Sequence, residues 1–368
     1  MVSAHMRACL SGLALLAASP ASAEIAIGVA GPMSGPFQIF GAQMMAGAEQ
    51  AVADINAAGG LLGEQLVLEV ADDRCERKDA EAVANQMVGR GVALVVGHLC
   101  SGASLMASPV YQRAGIIEIS PGARAPEYTD ARPGPNIFRL AGREDRQGEV
   151  AGQFLADKFS GSRIAILHDG SPYGSKLAEA VRLAMNAAGK QEIFYDDFRP
   201  NEADYGSLVT RLDLERVDVA FIGGTHTDAA RIIRQAHDSG LALRLVSGDA
   251  LMTEGFVEAA GPASDGALMT YPPDPARTPG AQAVVAEFAK RDIIAEAYVL
   301  PAYAAVQLWA KAVEQAGSKD SAAVAKALSE GSFDSVLGRV SFDTRGDASL
   351  PAYVIYEWRN GEYDYAPM

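Results

Sequence analysis

The feature that most constrains this chain is a strict alternation of short β-rich runs with amphipathic helical runs, which begins at Glu24 and then restarts. The first series reads strand Ile25–Ala30, helix Gln43–Ala58, strand Leu66–Ala71, helix Lys78–Gly89, strand Ala93–Val96 and helix Gly102–Ala114. Strands Ile116–Ile119 and Ile137–Leu140 close it. Alternation sustained over this length predicts a parallel sheet with helices on both faces.

After the polar stretch Gly142–Gln147 the pattern begins again. Helices Glu149–Lys158, Lys176–Ala188, Tyr205–Leu214 and Asp228–Asp238 interleave with strands Arg163–Leu167, Glu192–Tyr195, Val217–Ile222 and Leu243–Val246. A short helix near Glu254 and strand Ala267–Thr270 finish the series. Within 368 residues, two doubly wound α/β units in tandem fit this better than one very large sheet.

The last hundred residues do not repeat the pattern. Three helical stretches, Thr278–Phe288, Ala295–Ala316 and Ala322–Leu328, follow one another, and strand-like Val340–Phe342 and Tyr353–Trp358 come next. Asn360-Gly361 is a hairpin turn from which Glu362–Tyr365 returns. Helices with no sheet of their own must pack on one already built. The chain is therefore expected to cross back at Pro272-Pro273-Asp274-Pro275, cover the first unit and end on the second. This predicts lobes of residues 24–142 plus 272–352 and 143–271 plus 353–368.

Residues 1–23 read as a secretory signal peptide. Arg7 precedes an apolar stretch from Ala8 to Ala18, too short to span a bilayer, and Ala21-Ser22-Ala23 supplies a small-residue cleavage site before Glu24. Cys9 leaves with this segment, so Cys75 and Cys100 are expected to face an oxidising compartment. Against 31 basic residues stand 46 acidic ones, a net charge of -15, and no Lys/Arg cluster reverses that sign locally. Nucleic acids and anionic lipid surfaces are excluded as partners.

The common dinucleotide, phosphate, zinc, hydrolase and calcium signatures are all absent. His98, His168 and His226 lie at expected strand ends, but no spacing pairs them with a nucleophile, so no catalytic residue, cofactor or metal is assigned. In doubly wound sheets ligands bind beyond the carboxyl ends of the strands. Three loops there stand out: Gly31–Pro36, Gly97–Gly102 and Ser120–Ala125. Ser101 is placed to cap the following helix, where free N–H groups favour an anion. Cys75 follows the second strand and Cys100 the third. If these strands are neighbours, a Cys75–Cys100 disulfide closes a loop of about 25 residues and holds the Ser101 turn.

These residues resemble a known family. Met33-Ser34-Gly35-Pro36, Gly47–Asn56, Asp72-Asp73-Arg74-Cys75, Gly97-His98-Leu99-Cys100-Ser101, His168-Asp169 with Tyr173-Gly174, and Phe342-Asp343 with Gly346-Asp347 look like the leucine/isoleucine/valine-binding proteins. The resemblance covers essentially the whole mature chain. It implies two α/β lobes joined by three crossovers, the type I periplasmic binding protein fold, closing on a small-molecule ligand. The partner implied is the membrane permease of an ABC importer, and the chain is expected to be a monomer that performs no chemistry.

By the same resemblance Ser101 receives the ligand α-carboxylate, Gly122 and Arg124 stand where a backbone carbonyl and a threonine hold the amino and carboxylate groups, and Asp249 stands where a glutamate balances the ammonium. Phe40, Tyr173 and Tyr298 match aromatic contacts, Leu99 lines the cleft, and Thr225 replaces a second-lobe tyrosine. Arg124 puts a permanent cation where the family has a small hydroxyl. It turns to solvent or to Glu127, adds a fork to the ligand carboxylate, or pairs across the cleft with Asp249. Asp249 and Thr225 both enlarge the site, yet Asp249 keeps a small amino acid, of branched-chain type or a related carboxylate, as the leading ligand, with amides, keto acids, aromatic carboxylates and dicarboxylates as alternatives. A sensor presenting its closed form to a receptor would read the same, and an enzyme using His98 or His168 beside Ser101 is the rival from another class.

Overall fold

A computed structural model describes Met1 and residues 24–35, 37–170 and 172–367; the signal peptide lies outside the described residues. The first half builds β1 (Glu24–Gly31), α1 (Gln38–Ala57), β2 (Gln65–Asp72), α2 (Arg77–Gly89), β3 (Leu94–Gly97), α3 (Ser101–Ala114), β4 (Ile117–Ser120), α4 (Glu127–Asp130) and β5 (Ile137–Arg139). The five strands form one parallel sheet in the order β2-β1-β3-β4-β5.

The restart builds α5 (Arg146–Lys158), β6 (Ile164–His168), α6 (Pro172–Ala187), β7 (Phe194–Asp197), α7 (Gly206–Leu214), β8 (Val219–Gly223), α8 (His226–Asp238), β9 (Arg244–Ser247), α9 (Glu254–Ala260) and β10 (Leu268–Tyr271). The last part supplies α10 (Gln282–Ala289), α11 (Val299–Ala316), α12 (Ser321–Glu330), β11 (Ser332–Ser335), β12 (Gly338–Ser341), β13 (Val354–Arg359) and β14 (Glu362–Tyr365). A second sheet runs β14-β13-β10-β9-β8-β6-β7. It is parallel from β10 to β7, and the expected hairpin adds β13 and β14 antiparallel at its edge.

The late helices return to the first sheet. In α11 Val299, Leu300, Val306, Leu308, Trp309 and Val313 are buried, and they share one core with Ile27 and Val29 of β1, Val96 of β3 and Ile119 of β4. A helix apolar on nearly every side needs neighbours on every side, and α1, α12 and the sheet provide them. Where α1 crosses α11 the backbones touch: a Cβ on Gly47 would lie 2.0 Å from the Val299 carbonyl oxygen. The second sheet has its own core, including Leu167, Ile222, Ile233, Phe256 and Trp358.

Three segments join the sheets: 141–145, 272–281 and 343–353. Gly142 of the first packs against Ala352 of the third. The second is pinned to the hairpin, where Asp274 N–H donates to the Tyr365 hydroxyl at 2.9 Å. No helix among the described residues is long and apolar enough to cross a membrane.

Several expectations shift. β2 and β3 are not neighbours; β1 lies between them. The bridge forms nonetheless, with Cα atoms of Cys75 and Cys100 5.4 Å apart, because both post-strand loops lean over the carboxyl end of β1. Helix α6 starts at Pro172 rather than Lys176, since a proline fits the first helical turn. The helix expected from Ala295 starts at Val299, because Ala297 turns to φ 43°. β7 falls two residues later than expected: it is an edge strand with no fully buried position, so alternation does not mark it. β11 and α4 were not anticipated, being four residues each and rich in polar side chains.

Candidate functional site

The post-strand loops of the first sheet converge as expected, but Ser101 does not cap α3. Cys100 occupies the cap position and Ser101 is the first helical residue. Its Oγ instead accepts the N–H groups of Arg124 and Ala125, each at 3.0 Å. A hydroxyl has two acceptor positions and one proton, so Ser101 keeps its proton to donate to an arriving anion.

The partner loop is set by Ser120, which donates to the His98 carbonyl at 2.6 Å and accepts the Ala123 N–H at 2.9 Å. Gly122 lets that loop lie flat on its neighbours: a Cβ there would come within 2.4 Å of Leu99 Cδ1 and 3.1 Å of Tyr298 Cε1. Phe40 meets Tyr298 edge to face, 5.4 Å between centroids. Phe40, Leu99, Ser101, Gly122, Arg124 and Tyr298 therefore form one wall.

The opposite wall centres on Asp249, which follows β9. One carboxylate oxygen accepts from Gln147 at 2.9 Å and from the Tyr173 hydroxyl at 2.7 Å, and Gln147 also donates to Thr270 at 3.0 Å. The Tyr173 ring is 42% exposed while its hydroxyl is tucked against Asp249, and this burial with the adjacent negative charge pushes the phenol well above its ordinary range. Thr225 is placed differently. It caps α8, accepting the Asp228 N–H at 3.3 Å and donating to the Asp228 carboxylate at 3.0 Å, so its hydroxyl is engaged by its own helix.

Arg124 lies between the walls, only partly exposed, its neighbours being Tyr353 of the third crossover, Tyr298, and Tyr271 at the end of β10. Burial pulls its pKa down, but the tyrosines outweigh this and hold it above the usual arginine value. Phenols carry charge only near pH 10 and above, so at neutral pH the guanidinium faces neutral hydroxyls. Among the described residues no carboxylate lies within 4 Å of it: it pairs with neither Glu127 nor Asp249, which leaves solvent or the ligand carboxylate of its expected placements.

Beneath the first wall runs a buried polar network. His98 Nδ1 meets Asp73 at 2.5 Å and its Nε2 meets the Tyr111 hydroxyl at 3.0 Å, while Asp73 also accepts the Cys75 N–H at 2.8 Å. Arg139, fully buried, pairs with Asp347 at 2.6 Å and donates to the Ala125 carbonyl at 2.7 Å, clamping the loop that carries Arg124. His98 is thus sealed and engaged, and His168 accepts the Gly170 N–H at 3.1 Å in the other lobe. Neither histidine is presented to Ser101 as a base.

Sequence reasoning gave no site role to Gln147, Tyr271, Tyr353, Arg139 and Asp347. All five lie in the crossovers or within two residues of them, where no periodicity points inward. The usable signal was the polar run around Gly142–Gln147, which carries two arginines and three acids or amides in six residues.

Comparison with known proteins bears on the family and the fold. The family model described as periplasmic binding protein matches residues 24–362. The chain is 41% identical over 363 residues to Leu/Ile/Val-binding protein homolog 1 of Brucella suis, covering 96% of this chain and 98% of that one. It is 40% identical over 351 residues to an amino acid binding protein of Pseudomonas aeruginosa, covering 94% of each. An ABC transporter substrate-binding protein of Desulfitobacterium hafniense, solved in complex with Leu, superposes with a TM-score of 0.73 at 26% identity, covering 94% of this chain and all of that one. The fold and the family are those of non-catalytic solute carriers of the periplasm. The chain belongs to the type I periplasmic binding proteins, in the Leu/Ile/Val-binding family.

Proposed function

We propose that this chain captures a small amino acid or related carboxylate between its two lobes and hands it, as a monomer, to the membrane permease of an ABC importer. The observation that carries this is the pairing of opposite receptors on opposite walls: the Ser101 hydroxyl, with its proton to donate, and the Asp249 carboxylate, with one oxygen held by Gln147 and Tyr173 and the other still to accept. A zwitterion spanning the cleft satisfies both, so its binding favours closure. The Brucella and Pseudomonas relatives and the Leu-bound Desulfitobacterium structure support an amino acid as ligand.

In this reading Ser101 receives the carboxylate, Asp249 the ammonium, and Phe40, Leu99, Gly122, Tyr173 and Tyr298 enclose the rest, with Thr225 at the second-lobe rim. The lobes comprise residues 24–142 plus 272–352 and 143–271 plus 353–368, and the signal peptide is cleaved after Ala23. A thermal-shift screen of the mature chain against amino acids, keto acids, amides and aromatic acids tests it. A ligand at 100 times its Kd stabilises by about 2.7 kcal/mol. At least one amino acid or carboxylate should raise Tm, and Ser101→Ala should abolish that rise. Shifts confined to uncharged amides would contradict the reading.

A further inference from the structure

We propose that the ligand is an acidic amino acid and that Arg124 selects it by receiving a second carboxylate. This rests on the proposed function above and extends it from class to kind. Among the residues that form the two walls, Arg124 and Asp249 are the charged side chains, while Ser101, Gln147 and the tyrosines bring hydroxyl and amide groups; exposed Glu144 donates its backbone N–H to the Arg124 carbonyl but lies beyond 4 Å of the guanidinium. Asp249 receives one ammonium. Ser101 receives one carboxylate through a neutral hydroxyl at the start of a 14-residue helix. Arg124 is then a third receptor, and it takes an anion.

Two features separate it from the Ser101 receptor. Only its backbone N–H touches Ser101. Its side chain runs on to the Tyr353 hydroxyl of the third crossover, with Tyr298 and Tyr271 as its other neighbours, and makes no hydrogen bond to Ser101 among the described residues. The guanidinium also has no acid within 4 Å among the described residues. Closing a cleft strips water from a cation that has only neutral neighbours, and this is unfavourable unless the ligand brings the counter-charge. A neutral amino acid satisfies Ser101 and Asp249 and leaves Arg124 uncompensated. A diacid without an amino group satisfies Ser101 and Arg124 and leaves Asp249. An amino acid with a side-chain carboxylate satisfies all three, and a planar guanidinium suits it through paired N–H donors.

Calorimetric titration of the mature chain at neutral pH tests this with isosteric pairs: glutamate against glutamine and aspartate against asparagine, with glutarate and leucine alongside. The better of the two acids should bind about 100-fold or more tighter than its own amide, the scale set by leaving a buried charge unpaired. It should also bind more tightly than leucine and glutarate. Arg124→Gln should bring acid and amide to within about 3-fold, while Arg124→Lys, which keeps the charge, should retain a clear preference for the acid. Leucine or an amide binding as tightly as the acids would overturn the proposal and leave the proposed function standing. Discrimination that persists in Arg124→Gln would also overturn it. If no amino acid or carboxylate binds, the proposed function itself fails. The wild-type acid-to-amide ratio needs no variant and decides the question even if Arg124→Gln does not fold.

Discussion

Glu118 sits in the middle of β4 with no exposure, accepting the His98 N–H at 3.3 Å, while its other carboxylate oxygen has no hydrogen-bond partner. Burial raises its pKa well above the ordinary carboxylate value. A raised folded pKa gives stability that is present below the unfolded value, near 4.5, and is lost as pH rises through the folded one. Glu118→Gln removes the titration. Its Tm should therefore exceed the wild type's by about 2 °C or more at pH 8, with the gap shrinking toward pH 5. A gap that is independent of pH would show that Glu118 is not the titrating group. At this scale strand position pointed only to the loops that carry Ser101, Leu99 and Gly122, and the individual roles of Ser101, Leu99, Gly122 and Asp249 came from the family resemblance. Arg139 was not: it occupies the last position of a three-residue strand, and its partner Asp347 lies more than two hundred residues away.

Elements were legible in proportion to how much apolar surface they bury. The central strands β1, β3, β4, β8 and β9 and helices α1, α8 and α11 declare themselves, and β12 does so through Val340, whereas edge strand β7 and the four-residue β11 carry polar side chains on both faces and do not. The order of strands was less legible than their existence. A parallel sheet constrains the handedness of each crossover but leaves open whether β1 joins β3 directly or through β2. The α1–α11 crossing gives a direct test of element packing. In Gly47→Ala the new methyl meets backbone atoms, Val299 O at 2.0 Å and Tyr303 N at 2.9 Å, so the helices must separate. Urea unfolding should show a loss of about 1–3 kcal/mol, the usual range for overpacking. An unchanged midpoint would mean that the two backbones do not touch.

At the scale of the whole molecule, the return of α10 to α12 onto the first sheet and the end of the chain on the second were readable from one physical demand, that helices without a sheet must find one. The crossing at Pro272–Pro275 was readable from its prolines, but the inward-facing side chains were not: Tyr353 of the third crossover and Tyr271 at the end of β10, the neighbours of Arg124. The account's central claim is that both walls act on one ligand together. Small-angle scattering of the mature chain, with and without a saturating ligand from the screen, tests this most directly. The account predicts a smaller radius of gyration on binding, and no contraction for Asp249→Ala at the same concentration. A ligand that binds 1:1 yet leaves the radius unchanged, or an Asp249→Ala chain that contracts like the wild type, would contradict it.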